Sequence, residues 1–195
     1  MLGNAVDVSA VYGVGAILTL ALFAPQILTL LAGSAFMAAA PALVIISFAI
    51  ALAGMTHILR FALVACERPR LVLVADSTAC VFAFAAYFSL IPRYSFIGAA
   101  LGTVIAEVAA LICMLYGLKR AGRKVPSFMN PAKAVVSGMV SVGAMILLDR
   151  FDLPWLLTLV IGGAIYSGGL ALTRAIPLEL VVNVLRRRVA YQGSA

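Results

Sequence analysis

LVLVADSTACVFAFAAYFSLIPRYSFIGAALGTVIAEVAALICMLYGL, residues 71–118, holds two long apolar runs on either side of Ile91-Pro92-Arg93. Its charged residues are Asp76, Arg93 and Glu107. About 20 apolar residues suffice for a helix to cross a bilayer, and each run has that length. The runs do not alternate apolar with polar residues, which excludes the strands of a membrane β-barrel. Hydrocarbon offers backbone groups no hydrogen-bonding partner, so an apolar run of this length is a helix. Proline within a polar break marks a turn. The stretch predicts two membrane helices, 71–91 and 96–118, joined by a tight link.

The other apolar runs follow the same pattern. Of 195 residues, 65% are hydrophobic and 11% charged, against about 45–50% and 25% in a soluble domain. That excludes a soluble globular domain, a disordered chain and a coiled coil. The expected fold is all-α: a polytopic membrane helix bundle with about six transmembrane helices. The spans are placed at 8–32, 39–66, 71–91, 96–118, 132–148 and 153–172, in a single membrane domain. The breaks carry turn residues at Gly33-Ser34, Arg68-Pro69-Arg70, Pro126 to Pro131 and Asp152-Leu153-Pro154. Pro25 is expected to kink the first helix, which membrane helices tolerate.

The net charge of +7 reads as a topology determinant, not as a nucleic-acid footprint, because the basic residues lie between apolar runs. Arg68 and Arg70 follow the second helix. Lys119, Arg120, Arg123 and Lys124 follow the fourth, with Lys133 beyond. Arg174 and Arg186 to Arg188 follow the sixth. The other links are poor in Lys and Arg. The positive-inside rule then puts both termini in the cytoplasm and the chain in the inner (plasma) membrane. Residues 176–191 carry Leu178, Val181, Val182, Leu185 and Val189 on one helical face. They predict a C-terminal amphipathic helix lying on anionic membrane lipids. Met1 to Ala10 contains Asp7 but no Lys or Arg, so no cleavable signal peptide is expected.

Four ionisable residues fall within the spans: His57, Arg60, Asp76 and Glu107. Such residues usually face a bundle interior or a wet cavity, and all four are candidates for a substrate or proton path. At about 1.5 Å per residue, Arg60 and Asp76 both lie roughly 9 Å from the cytoplasmic end of adjacent helices. Pairing, snorkelling of Arg60 to the headgroups and a substrate contact are the three readings of that placement. Glu107 lies near mid-membrane, either as a proton-coupled or substrate-facing group or as a carboxyl bonded within the bundle. Gly98 and Gly102, with Ala106 and Ala110, form a small-residue stripe for helix packing. Gly162-Gly163 and Gly168-Gly169 suggest a second close contact or a bend. Cys66, Cys80 and Cys113 lack ligand spacing and read as small buried hydrophobes. One histidine and no His/Cys/carboxylate cluster argue against a metal site. No phosphate-cradling loop or nucleophile elbow is present. Neither a cofactor nor an enzyme is expected.

Three strings carry a resemblance. FAPQILTLLAG at 23–33, followed by Phe36, resembles a stretch of prokaryotic polysaccharide flippases, in the multidrug/oligosaccharidyl-lipid/polysaccharide exporter superfamily. So does Glu67-Arg68-Pro69-Arg70 opening the next span. LIPRYSFIGAALGTVIAE at 90–107 is similar to their "Leu-Ile-Pro, aromatic, Gly, two residues, Gly-Ala-Ala" pattern, with Ser95 where the family usually has glycine. Tyr166 in an apolar span before a basic helix also resembles their C-termini. The resemblance implies a lipid-linked oligosaccharide flippase of cell-envelope polysaccharide biosynthesis, including lipopolysaccharide, with 12–14 helices in two lobes. This chain would supply helices three to six of the second lobe and two more, as a truncated or split product. Its partners would be the N-terminal lobe or a second copy, and its substrate a polyprenyl-linked oligosaccharide. Gly98, Gly102 and Glu107 would then face helices outside this chain. The alternative is a stand-alone six-helix subunit or assembly partner without transport activity.

Overall fold

The computed structural model describes residues 2–122, 136, 138–145, 147 and 155–172. Among them there is no strand. Helix α1 spans Leu2–Ala32, a 3-10 turn covers Ser34–Ala39, α2 spans Ala40–Ala65, α3 Pro69–Arg120 and α4 Trp155–Leu172. The described residues between 136 and 147 are also helical. Three of these helices, α1, α2 and α3, are long and apolar enough to cross a membrane. The amphipathic helix expected at 176–191 and most of the link 119–135 lie outside the described residues.

Each helix end has a local cause. α1 runs through Pro25 and stops at Gly33, whose φ of 89° suits a residue without Cβ. It begins at Leu2, six residues before the expected start. α2 opens with proline in its first turn, and α3 opens on Pro69, where a missing N–H costs nothing. α2 closes in a Schellman turn. The Arg68 N–H donates to the Leu63 carbonyl at 3.1 Å, and the Glu67 N–H to that of Val64 at 2.9 Å. Glu67 takes the left-handed position, φ 57°, that glycine usually fills.

α3 is not one rod. Ser95 has φ 52° and ψ −126°, close to the first central residue of a type II′ turn. The chain reverses there, giving two antiparallel arms, 69–94 and 96–120. The proof is the hydroxyl bond between Tyr87 and Thr103, 3.1 Å long across 16 residues. A straight helix would separate them by about 24 Å. Thr103 spends its proton on the Ala99 carbonyl at 3.0 Å, so Tyr87 is the donor. Residues expected to form a loop, 92–94, are helical instead, and the turn is confined to Ser95. A glycine would take these dihedrals without a Cβ penalty.

Gly98 and Gly102 correct an expectation. Their stripe does not await helices outside this chain. A Cβ at Gly98 would overlap the Leu90 carbonyl, and one at Gly102 would overlap the Tyr87 ring. Both glycines are buried against the opposing arm of their own hairpin.

One apolar core ties the arms to α1 and α2. Val6, Leu59, Leu63, Val72, Ala75, Met114 and Leu118 form it. It lies at the end of the bundle that carries Arg68, Arg70, Lys119 and Arg120. The opposite end, 29–38 and 91–96, is exposed. A smaller contact joins α4 to α1: the Tyr166 hydroxyl donates to the Val11 carbonyl at 2.8 Å, and its ring covers Gly15. Ser141 donates to the Gly162 carbonyl at 2.8 Å, and Met145 packs where a Gly162 side chain would lie. Gly162 is thus a close contact, whereas Gly163 and Gly168 face open space. Cys80 is exposed rather than buried, while Cys66 and Cys113 are half-buried.

Ser95→Gly should stabilise the hairpin by about 1 kcal/mol, because it relieves a left-handed conformation. Gly98→Ala should cost about 1–3 kcal/mol, since the obstructing atoms are backbone. Thermal unfolding in detergent micelles should show opposite shifts for the two. A Gly98→Ala protein as stable as the parent would contradict the close approach.

Candidate functional site

His57 and Arg60 sit on one face of α2, one turn apart. Asp76 comes from the first arm of α3 and Glu107 from the second. The fold brings all four sequence candidates into one cluster. The Arg60 Nη2 donates to Asp76 Oδ1 at 2.7 Å. Its Nη1 lies 2.9 Å from His57 Nδ1. A guanidinium has no acceptor, so Nδ1 must accept and the His57 proton sits on Nε2. His57 is therefore neutral in this arrangement. The Glu107 carboxyl lies beside the Thr56 hydroxyl, with Arg60 and Asp76 as its charged neighbours and the His57 ring nearby.

The cluster is a ladder along the bundle axis. Arg60 and Asp76 share the rung nearer the basic end. Thr56 and Glu107 form the next rung, about one turn further along α2. The ion pair is half-buried: the side chains of Arg60 and Asp76 are 32% and 41% exposed. Of the three readings of Arg60, the contact with Asp76 is present in the fold, though not a sequestered one. The Arg60 Nε is enclosed without a partner among the described residues.

An apolar groove adjoins the ladder. α1, α2 and the second arm of α3 line it with Val14, Ile17, Phe48, Leu52, Met55 and Val104, around a volume of about 480 Å³. Met55 precedes Thr56 in the chain, and Val104 is one turn from Glu107 on the same helix face. Hydrocarbon surface thus lies within about one helical turn of the charged cluster.

Sequence reading missed four polar residues. Thr56 looks like any hydroxyl in a span, since its proton goes to the Leu52 carbonyl at 3.0 Å. The Tyr87–Thr103 pair is symmetric about Ser95, a register visible only once the reversal is placed at a single residue. Asp7, noted only for what it meant at the N-terminus, is buried, at 6% exposure. Among the described residues no group of His, Cys, Asp and Glu could hold a metal ion.

No family model matches the chain, and neither a curated protein nor a solved structure does.

Removing either Arg60 or Asp76 leaves a charge beside hydrocarbon. A double-mutant cycle with Arg60→Ala and Asp76→Ala should give a coupling of about 1–3 kcal/mol, between an exposed pair and a fully buried one. The double variant should be less damaged than the sum of the singles. Additive losses in unfolding free energy would mean that the pair contributes nothing.

Proposed function

We propose that the chain is the C-terminal portion of a lipid-linked oligosaccharide flippase of cell-envelope polysaccharide biosynthesis. The observation that carries this reading is the proximity of the apolar groove to the polar ladder, with Val104 one turn from Glu107. A hydrocarbon tail fits the first, and a polar head meets His57, Arg60 and Glu107 in the second. An amphiphile with a long apolar chain and a hydroxyl-rich head has that chemistry. The strings around Pro25, Arg68 and Gly98 support the same family, and Ser95 holds a conformation that the family's glycine would favour.

In this proposal the chain crosses the inner membrane six times, with 132–148 and 153–172 as its last two spans. Both termini are cytoplasmic, and 176–191 lies on the cytoplasmic leaflet. The apolar core and the basic links then sit on the cytoplasmic side. Reporter fusions at Arg123 and Gly193 should read as cytoplasmic and one at Asp149 as external. An external reading at Gly193 overturns the orientation.

Alternating access needs two bodies rocking about a central site, and this chain forms part of one. Reconstituted alone with a fluorescent polyprenyl-linked oligosaccharide, it should bind the lipid but leave its sidedness changing at the empty-vesicle rate. Val104→Trp, which fills the groove, should weaken binding at least tenfold. Binding unaffected by Val104→Trp would rule out the groove. Transfer above background would mean that two copies assemble the lobes.

A further inference from the structure

Arg60 is under-used in this arrangement. One nitrogen is held by Asp76, a second by a neutral imidazole, and the third, Nε, is enclosed without an acceptor among the described residues. The contact with His57 exists only while Nδ1 carries no proton. His57 is exposed on the bundle surface rather than packed into the apolar core. Imidazole is also the side chain whose charge most readily changes near neutral pH. Once Nδ1 is protonated, both ring nitrogens are donors, and two cations face each other 2.9 Å apart. One must move.

The charged groups packed around this point decide where. The first arm of α3 supplies Asp76, which already holds Nη2. The second arm supplies Glu107, whose charged neighbours are Arg60 and Asp76, with the His57 ring nearby. α1 carries Asp7, buried near the bundle end where Val6 and Leu59 share the apolar core. The 3-10 turn carries no charge. Thr56 stands beside the Glu107 carboxyl, and in this arrangement its hydroxyl donates to the Leu52 carbonyl.

We propose that His57 and Glu107 compete for the free edge of Arg60, so that a proton on His57 moves the guanidinium to Glu107 while Asp76 keeps its hold. The proton passes from hydronium to Nδ1, leaving water; the Nη1–H bond to the imidazole breaks and one to the Glu107 carboxylate forms. In the neutral state Arg60 ties α2 to the first arm of α3 alone. In the protonated state it ties α2 to both arms. The device is a pH-dependent clamp across three helices. It goes beyond the flippase reading, since neither a substrate nor transport enters it.

His57 is the one histidine of the chain, so its ring signal is unambiguous in nuclear magnetic resonance. The test uses the full chain in lipid nanodiscs, titrated from pH 8 to pH 5. The Arg60 guanidinium signal is identified as the one missing from Arg60→Lys. It should shift with the same midpoint as the His57 ring. In His57→Gln, whose amide oxygen is a permanent acceptor, the shift should disappear. In Glu107→Gln it should fall by half or more. An imidazole transition that leaves the guanidinium unmoved in the parent chain overturns the proposal, as does the absence of any imidazole transition. An Arg60 shift that survives His57→Gln at the same midpoint, or that Glu107→Gln leaves untouched, overturns it too.

Discussion

Asp76 and Glu107 belong to what would be one helix without Ser95, and along a continuous rod they would stand about 46 Å apart. The reversal at that single residue is the constraint on which the polar ladder depends. It needs two further conditions. The arms must approach closely, which the absence of Cβ at Gly98 and Gly102 permits. Their far ends must also be tied, which Val72, Met114 and Leu118 achieve by packing with Leu59 and Leu63 of α2. Gly117 lets Leu63 and Leu71 meet over the second arm. Only then can one helix, α2, touch both arms and place Arg60 and Thr56 opposite their acidic neighbours.

Polar groups in this chain fall into two kinds. Most hydroxyls are closed locally. Thr29, Thr56, Thr78, Thr103 and Ser167 each donate to a carbonyl four residues back, as a medium without water requires. A few reach across elements: Arg60 to Asp76, Tyr87 to Thr103, Ser141 to the Gly162 carbonyl and Tyr166 to the Val11 carbonyl. The first kind keeps each helix intact in lipid. The second kind fixes which helices are neighbours, a task that apolar side chains perform weakly when the solvent is as apolar as they are.

The chain announces its helices through hydropathy and two of their ends through Gly33 and Pro69, because these are local effects. The matched depth of Arg60 and Asp76 is likewise arithmetic on the helical rise. What Gly98 and Gly102 touch is not local. A small-residue stripe declares that something approaches closely but does not name it, and here the partner is the preceding arm. Glu67 at the end of α2 and Ser95 at the reversal occupy positions where glycine is the expected mark, so neither was visible as a left-handed residue. Thr56 was hidden for the opposite reason, being chemically ordinary. Cys80 shows the limit of composition: an apolar run predicts a span, but not which of its faces meets lipid.

The apolar core occupies one end of the bundle, while 29–38 and 91–96 at the other end are exposed. A bundle fastened this way resembles a pair of tongs held at the handle. Local opening costs least where few buried contacts must break. Spontaneous excursions therefore grow in amplitude toward the turn at Ser95 and the 3-10 segment, and fade toward Leu63 and Leu118. Backbone amides near Thr29 and Tyr94 would exchange with solvent deuterium first, and those of the cored end last, so the molecule carries a gradient of rigidity along the membrane normal.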